Sequence, residues 1–289
     1  MTDKIYRFIF DTYGIRGEMV KLEQSSQTML QAHQYPPFVA SLLQQTAAVS
    51  ALLTTTLKFE GRISIQLQTH GKIKRLIVQT THDLGYRGLV HFDRQADYSE
   101  MTFKELTKNG QMSITIEPLK GKRYQGIVPL DGNNLAQCVE KYFDQSEQLK
   151  TRIWLYDSVS KANESQVFGL MLQALPDMLG EEPFNHLACL ADTLTQQECL
   201  STDSETLQHR LFHQESLNNL AVDQVRFECS CSRTKMLNSL SLLSENELNE
   251  TFDDIGDIKV ECEFCLSHFS FNQLDIKASL GVQGNLTQH

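Results

Sequence analysis

Hydrophobic and polar residues alternate most cleanly at Arg62 to Gln68 (RISIQLQ), a period of two that predicts a half-buried strand. Thr69-His70-Gly71 is a turn, and Lys72 to Thr80 is its predicted hairpin partner. Shorter runs predict strands at Tyr6 to Phe10, Gly14 to Leu22, Gly88 to Phe92, Gln111 to Ile116, Tyr124 to Pro129 and Thr151 to Tyr156. Tyr6 to Phe10 alternates poorly but is aromatic and apolar throughout. Phe38 to Leu57, rich in Ala and Leu behind Pro36 and Pro37, predicts a long helix. Asn134 to Gln148 predicts another, with Leu135, Val139 and Phe143 on one face. Ser158 to Gln166 reads as a polar loop.

After Leu175-Pro176 the texture changes. Phe184 to Leu220 is rich in Gln, Asn, Ser and Glu, with thinly spaced leucines. Leu187, Leu190 and Leu194 share one predicted helical face, and Leu207 and Leu211 share another behind the N-cap candidates Ser201-Thr202-Asp203. Helices with such narrow apolar stripes depend on docking, because short isolated helices are marginal in water. From Phe227 the pattern changes again. Ser239 to Phe252 reads as helical, and Ile258 to Glu261 (IKVE) as a strand. The expected fold class is α+β in three parts. Residues 1–177 form an N-terminal α/β domain with an antiparallel-rich sheet, 178–226 a metastable helical linker, and 227–289 a small zinc-binding domain.

Composition narrows the function. The 289 residues carry 40% hydrophobic side chains, enough for a packed core, and a net charge of −10. Nucleic-acid binding needs a basic face to displace counterions. The densest basic clusters, Lys72 to Arg75 and Lys120 to Arg123, read instead as turns or strand ends, so no nucleic-acid partner is expected. No run of 18 apolar residues suggests a membrane span. Met1 to Asp11 carries Arg7 mid-run and lacks a small-residue cleavage site, so the expected location is the cytoplasm. Seven cysteines in a reducing compartment argue against permanent disulfides.

Four of them make two close pairs, Cys229-Ser230-Cys231 and Cys262-Glu263-Phe264-Cys265. Zinc takes four thiolates in a tetrahedron, and each pair can supply two corners from one turn. The expected cofactor is one zinc held by Cys229, Cys231, Cys262 and Cys265. Purely structural knuckles favour gaps of two to four residues. A one-residue gap closes a disulfide only in a small, strained ring, and strained disulfides are the labile or regulatory ones. Structural zinc contributes about 10–16 kcal/mol in small peptides, against about 5–15 kcal/mol for a whole domain. A module of this size that loses its zinc is expected to unfold, and the neighbouring leucine stripes to lose their docking surface. Newly exposed apolar surface marks a protein-interaction site. Leu190, Leu194, Leu207 and Leu211, with the face they cover, are therefore the expected client-binding surface.

Val225 to Arg233 (VRFECSCSR) followed by Glu261 to Cys265 (ECEFC) resembles the redox-regulated heat-shock chaperones of the 33 kDa chaperonin family. Gly14 to Leu22, Gln34 to Val39, Thr54 to Gly61, Tyr124 to Val128, Phe168 to Pro176 and Leu190 to Leu200 extend the likeness along nearly the whole chain. The resemblance implies a non-enzymatic holdase that needs no ATP, inactive with zinc bound and activated when oxidants form Cys229–Cys231 and Cys262–Cys265 disulfides and release the metal. It also implies unfolded proteins as clients, a monomer when reduced and a dimer when oxidised, and hand-over to ATP-driven foldases. Leu266 departs from the Gly or Asn frequent in the family at a position that often has positive φ, which costs a branched residue energy. Phe269 stands where Tyr is frequent, and Thr234-Lys235 replaces an acidic-basic pair.

Rival readings fit less well. A nucleic-acid-binding zinc ribbon needs basic surroundings, whereas residues 244 to 263 are dominated by Glu and Asp. A thiol oxidoreductase needs one C-x-x-C beside a βαβ unit, with no second pair. A zinc deaminase needs proline before its C-x-x-C, where Glu261 stands. Cys138, Cys189 and Cys199 are expected to be buried structural thiols, His209 and His213 a solvated helix face, and His268 a weak competitor for the metal.

Overall fold

A computed structural model describes residues 3–57, 60–99, 101–159, 165–176, 178, 180–240 and 257–275. The chain forms two compact units, residues 1–228 and 229–289. In the first, β1 (Lys4–Phe10) and β2 (Ile15–Leu22) make a hairpin whose turn needs Gly14 at φ 63°. α1 (Gln24–Gln31) follows at once. Its leading residue provides no side-chain cap. Asp3 supplies it instead, accepting from the backbone N–H groups of Glu23, Gln24 and Ser25 at 2.8, 3.2 and 2.6 Å. A cap from twenty residues upstream leaves no local signature, which is why the sequence pattern did not predict α1.

α2 (Pro37–Thr55) starts on proline, as expected, and is buried almost all round. It is the one described helix long and apolar enough to span a membrane, and most of it lies inside the protein. Its buried polar groups are partly satisfied: Gln44 Oε1 accepts from the Ser26 hydroxyl at 2.6 Å and Ser50 meets Thr80 at 2.6 Å, while Gln44 Nε2 has no partner among the described residues. Next come β3 (Gly61–Gln68), β4 (Ile73–Thr81), β5 (Gly85–Phe92), α3 (Phe103–Leu106), β6 (Gln111–Pro118) and β7 (Tyr124–Pro129). α4 (Leu135–Tyr142) is capped by Asn134, which accepts from Gln137 N–H at 2.9 Å. The helix expected to run to Gln148 widens into a π-helical turn over Phe143–Glu147 and stops at Gln148, φ 54°. β8 (Thr151–Ser158) and β9 (Gln166–Ala174) follow, then α5 (Glu182–Ala191), α6 (Gln196–Ser201), α7 (Ser204–Phe212), β10 (Asn218–Gln224) and β11 (Arg226–Phe227).

These elements stack in four layers. A six-stranded sheet, β11-β5-β4-β3-β6-β7, packs on α2, which packs on a five-stranded sheet, β10-β1-β2-β9-β8. Helices α5 to α7 cover the far face of that second sheet. Every described strand pair in the two sheets is antiparallel except β11 with β5. One core surrounds α2, including Val20, Leu43, Leu52, Ile65 and Val78. A second lies between the five-stranded sheet and α5–α7, where Phe8, Phe10, Ile15, Met19 and Phe168 meet Phe184, Leu187, Leu207 and Phe212.

Two departures from the sequence reading follow from this layering. β9 sits second from the edge with both faces covered and is apolar along nearly its whole length, so it shows no alternation to detect. Asn218 to Leu220, read as the end of a helical stretch, opens the strand β10 on β1. Its side chains are mostly polar, and only pairing with β1 gives it an extended form.

Glu18 is the most costly feature of the five-stranded sheet. It is 3% exposed on β2, and its Oε2 has no hydrogen-bond partner among the described residues. Burial pushes its carboxyl up to about 7, against the pull of the Arg16 and Arg7 guanidiniums. Arg16 Nε stands 3.8 Å away, and Arg7 lies opposite on β1. The folded state therefore holds this proton between the unfolded pKa near 4.5 and the folded value near 7. Over that window stability falls as pH rises. Glu18→Gln should match wild type within about 1 kcal/mol at pH 5. At pH 8 it should be more stable by a further ~2–3 kcal/mol, at 1.36 kcal/mol per pKa unit. Urea unfolding at the two pH values measures the gap, and an unchanged gap means Glu18 ionises normally.

Candidate zinc centre and its covering layer

The second unit is small. α8 (Arg233–Leu240) and the hairpin of β12 (Ile258–Glu261) and β13 (His268–Phe271) enclose a core whose buried members are Leu240, Ile258 and Phe271. Residues 241–252 of the helix expected over Ser239 to Phe252 lie outside the described residues. Arg233 braces the unit: its guanidinium lies 4.5 Å from the Phe271 ring centre and donates to Ser270 O at 2.6 Å and Asp275 at 2.8 Å.

Hairpin pairing brings Cys262 and Cys265 to one turn, and the residues before α8 bring Cys229 and Cys231 opposite. The sulfurs of Cys229 and Cys262 are 3.6 Å apart, those of Cys231 and Cys265 are 3.5 Å apart, and all four lie within 4.8 Å of one another. A tetrahedron with Zn–S near 2.3 Å has S···S edges of roughly 3.8 Å. The donor set therefore fits a structural zinc ion. Among the described residues it is the one group of three or more ligand-type side chains so placed.

The second knuckle is closed by two backbone bonds, Leu266 N–H to Cys262 O at 2.8 Å and Cys262 N–H to Ser267 O at 2.9 Å. At Cys265, burial alone would raise the thiol. Hydrogen bonds from the Ser267 hydroxyl and backbone, with the Cys229 and Cys231 sulfurs nearby, instead bring it down to about 7. Burial and the neighbouring thiols push Cys231 upward. Crowding four sulfurs thus makes some give up protons more readily than others.

The sequence made Cys138, Cys189 and Cys199 buried structural thiols, His209 and His213 a solvated helix face and His268 a weak competitor for the metal, and the close group of ligand-type side chains among the described residues consists of the four cysteines. Cys138 and Cys199 are buried, and burial pushes the Cys199 thiol up to about 12. Cys189 was expected to be buried as well, but it is exposed, because it faces solvent from α5 while Leu187 and Ala188 face the sheet. His209 and His213 stack at 5.7 Å on the surface of α7. His268 pairs with Glu261 at 3.3 Å.

The four leucines lie in the second core of the first unit. Leu194 and Leu207 are buried, and Leu190 and Leu211 are half-buried against the same cluster. Polar contacts support the docking. Trp154 Nε1 and Arg152 both donate to Asp192, at 2.8 and 3.2 Å, and the Tyr156 hydroxyl donates to Leu194 O at 3.0 Å. Lys21 donates to the carbonyls of Leu200 and Thr202. The sheet-side partners Phe8, Phe10, Met19 and Trp154 were not picked out by sequence. Their one signal was the poor alternation of Tyr6 to Phe10, which reflects a strand covered on both faces.

The family model described as Hsp33 protein matches residues 3–272. The chain belongs to the Hsp33 family. The 33 kDa chaperonin of Pseudoalteromonas translucida is 38% identical over 277 residues, covering 95% of this chain and 98% of its own length. That of Pseudomonas aeruginosa strain LESB58 is 39% identical over 293 residues, covering 98% and 97%. The crystal structure of the 33 kDa chaperonin (heat shock protein 33 homolog) from Thermotoga maritima matches with a TM-score of 0.83 at 19% identity, over 99% of this chain and 100% of that one, and supports the fold. The family resemblance, the α+β class and the four-cysteine cluster expected from sequence all stand. This Hsp33 family member is accordingly a chaperone by kinship.

Leu266 is a strained position of the second knuckle. It adopts φ 55°, the left-handed region where a branched side chain crowds its own backbone. Glycine there carries no such cost. Leu266→Gly should stabilise the knuckle by about 1 kcal/mol. The reduced protein should then hold zinc roughly five-fold more tightly in competition with a chromogenic chelator. Unchanged competition means the turn bears no strain.

Proposed function

We propose that this chain is a redox-regulated, ATP-independent holdase chaperone of the cytoplasm. When reduced, its second unit holds zinc through Cys229, Cys231, Cys262 and Cys265. The observation that carries the reading is the convergence of four sulfurs within 4.8 Å of one another. Among the described residues of this unit, three buried apolar side chains contribute about 1.5–3 kcal/mol each, while ordering each residue's backbone costs about 1–2 kcal/mol. Bound zinc would supply the missing cross-link and hold the sulfurs as thiolates.

Peroxide converts each neighbouring pair to a disulfide. Two thiols lose two electrons and two protons, and one peroxide becomes two waters. The pairing proposed is Cys229–Cys231 and Cys262–Cys265, following the family. Sulfurs so bonded no longer act as thiolate donors, and the small unit loses its cross-link. Residues 178–226 are proposed to be the layer that then undocks, because α5–α7 are short and anchored through a limited set of apolar side chains, Phe184, Leu187, Leu194, Leu207 and Phe212, with Leu190 and Leu211 half-buried beside them. Undocking opens the apolar face of Phe8, Phe10, Met19 and Phe168 to unfolded clients. A dimer of the oxidised form and transfer of clients to ATP-driven foldases complete the proposal.

Peroxide at elevated temperature should release one zinc per chain, remove four free thiols and produce aggregation suppression at stoichiometric amounts, all measured on one sample. Activity without zinc or thiol loss would discard the switch, and thiol loss without activity would discard the holdase. Leu207→Ser should cost roughly 3–5 kcal/mol of burial. It should leave reduced, zinc-loaded protein able to suppress aggregation, and a stable but inactive variant argues against undocking.

A further inference from the structure

Within the five-stranded sheet, β10 alone has no buried side chain. Leu220 and Val222 are 61% and 51% exposed, whereas Ile5, Phe8 and Phe10 of the adjoining β1 are fully buried. β10 is therefore attached mainly through its main-chain ladder, which runs from Lys4 opposite Gln224 to Ile9 opposite Asn218 with a bulge at Arg7/Phe8. Its side-chain ties are few and part-buried or exposed: Arg7 to Asp223 at 2.6 Å, Gln208 to Asn219 at 3.0 Å, and Asn218 to Asp11. Exposed ion pairs of this kind contribute little. A strand held by its backbone rather than its side chains is a sequence-indifferent occupant of an otherwise open sheet edge.

We propose that the outer edge of β1 is a client-docking surface, and that β10 is its built-in weak occupant. An extended, apolar segment of an unfolded polypeptide replaces β10 by main-chain pairing. This rests on the chaperone reading above and names the site and the form of the client. Tyr6, Phe8 and Phe10 project from β1 toward the side covered by α7, where Phe212 meets the rings of Phe8 and Phe10 at 5.9 and 5.2 Å. When α7 and β10 leave together, an aromatic row stands beside a free line of N–H and C=O groups. Main-chain pairing accepts any sequence, and the row favours segments with apolar residues at every second position. The β10 register spans Asn218 to Gln224, so the site takes a segment of about seven residues. β10 presents Asn, Asp and Gln along much of its length, so an apolar client segment outcompetes it once its tethers loosen. Those tethers are short. Val225 is buried, Arg226 holds Asp83, Phe227 packs edge-on to Tyr86, and two residues after Phe227 the chain reaches Cys229.

The probe is a fluorescein-labelled seven-residue peptide of alternating valine and threonine. Two isomers carry N-methyl groups on alternate amides, blocking one strand edge or the other. Anisotropy should show oxidised protein binding the parent and one isomer, with the other at least ten-fold weaker. Reduced wild type should bind the parent at least ten-fold more weakly than oxidised protein does. The double variant Ala221→Pro/Val222→Pro cannot re-form the ladder. In its reduced, zinc-retaining form it should bind the parent about as tightly as oxidised wild type. Equal binding of both isomers by oxidised protein that still suppresses aggregation overturns the edge and leaves the chaperone reading standing. So does a folded, zinc-retaining proline variant that does not bind. Oxidised protein that neither binds peptide nor suppresses aggregation overturns both.

Discussion

A sheet that is apolar on both faces must be covered on both, and that constraint organises the first unit. The five-stranded sheet has α2 on one side and α5–α7 on the other. The first cover is a long helix buried almost all round. The second is three short helices whose inward faces reduce to a few leucines and aromatics. Both covers satisfy the same hydrophobic demand, but with very different reserves, since burial scales with area. The cover built from the shorter helices is the one over Phe8, Phe10 and Phe168.

Among its described residues, the second unit buries only a few apolar side chains. Their core is Leu240, Ile258 and Phe271, and four convergent sulfurs lie in the same unit. Thiols are groups that oxidants change, whereas the apolar packing of the first unit offers them no such target. β10 and β11 lie between these two regimes along the chain. They are bound by backbone pairing and by the Arg226–Asp83 contact, with Asp83 held down to about 2 by the Thr81 hydroxyl and by Arg226. An element with little buried surface of its own is poised to follow whichever neighbour gives way.

Legibility in the sequence followed the range of the interactions. β3 and β4 were readable because one face is wet and alternation survives. The start of α2 was readable from Pro37 alone. β9 was not, because burial on both faces erases the period. α1 was not, because Asp3 caps it from across the hairpin. β10 was not, because nothing in NNLAVDQ requires a strand until β1 lies alongside. At the candidate site the four cysteines were fully legible, as was the positive φ expected at Leu266. Trp154, Asp192 and Lys21, which hold the covering layer, carried no signal.

The sequence by itself determined the four-cysteine donor set and the knuckle that presents half of it, because a C-x-C and a C-x-x-C confine their sulfurs within a few bonds of local backbone. Only the tertiary structure decided which faces are covered and how securely. Phe8 meets Phe212 and Arg7 meets Asp223 across more than two hundred residues, and contacts that distant exist only once the layers have assembled.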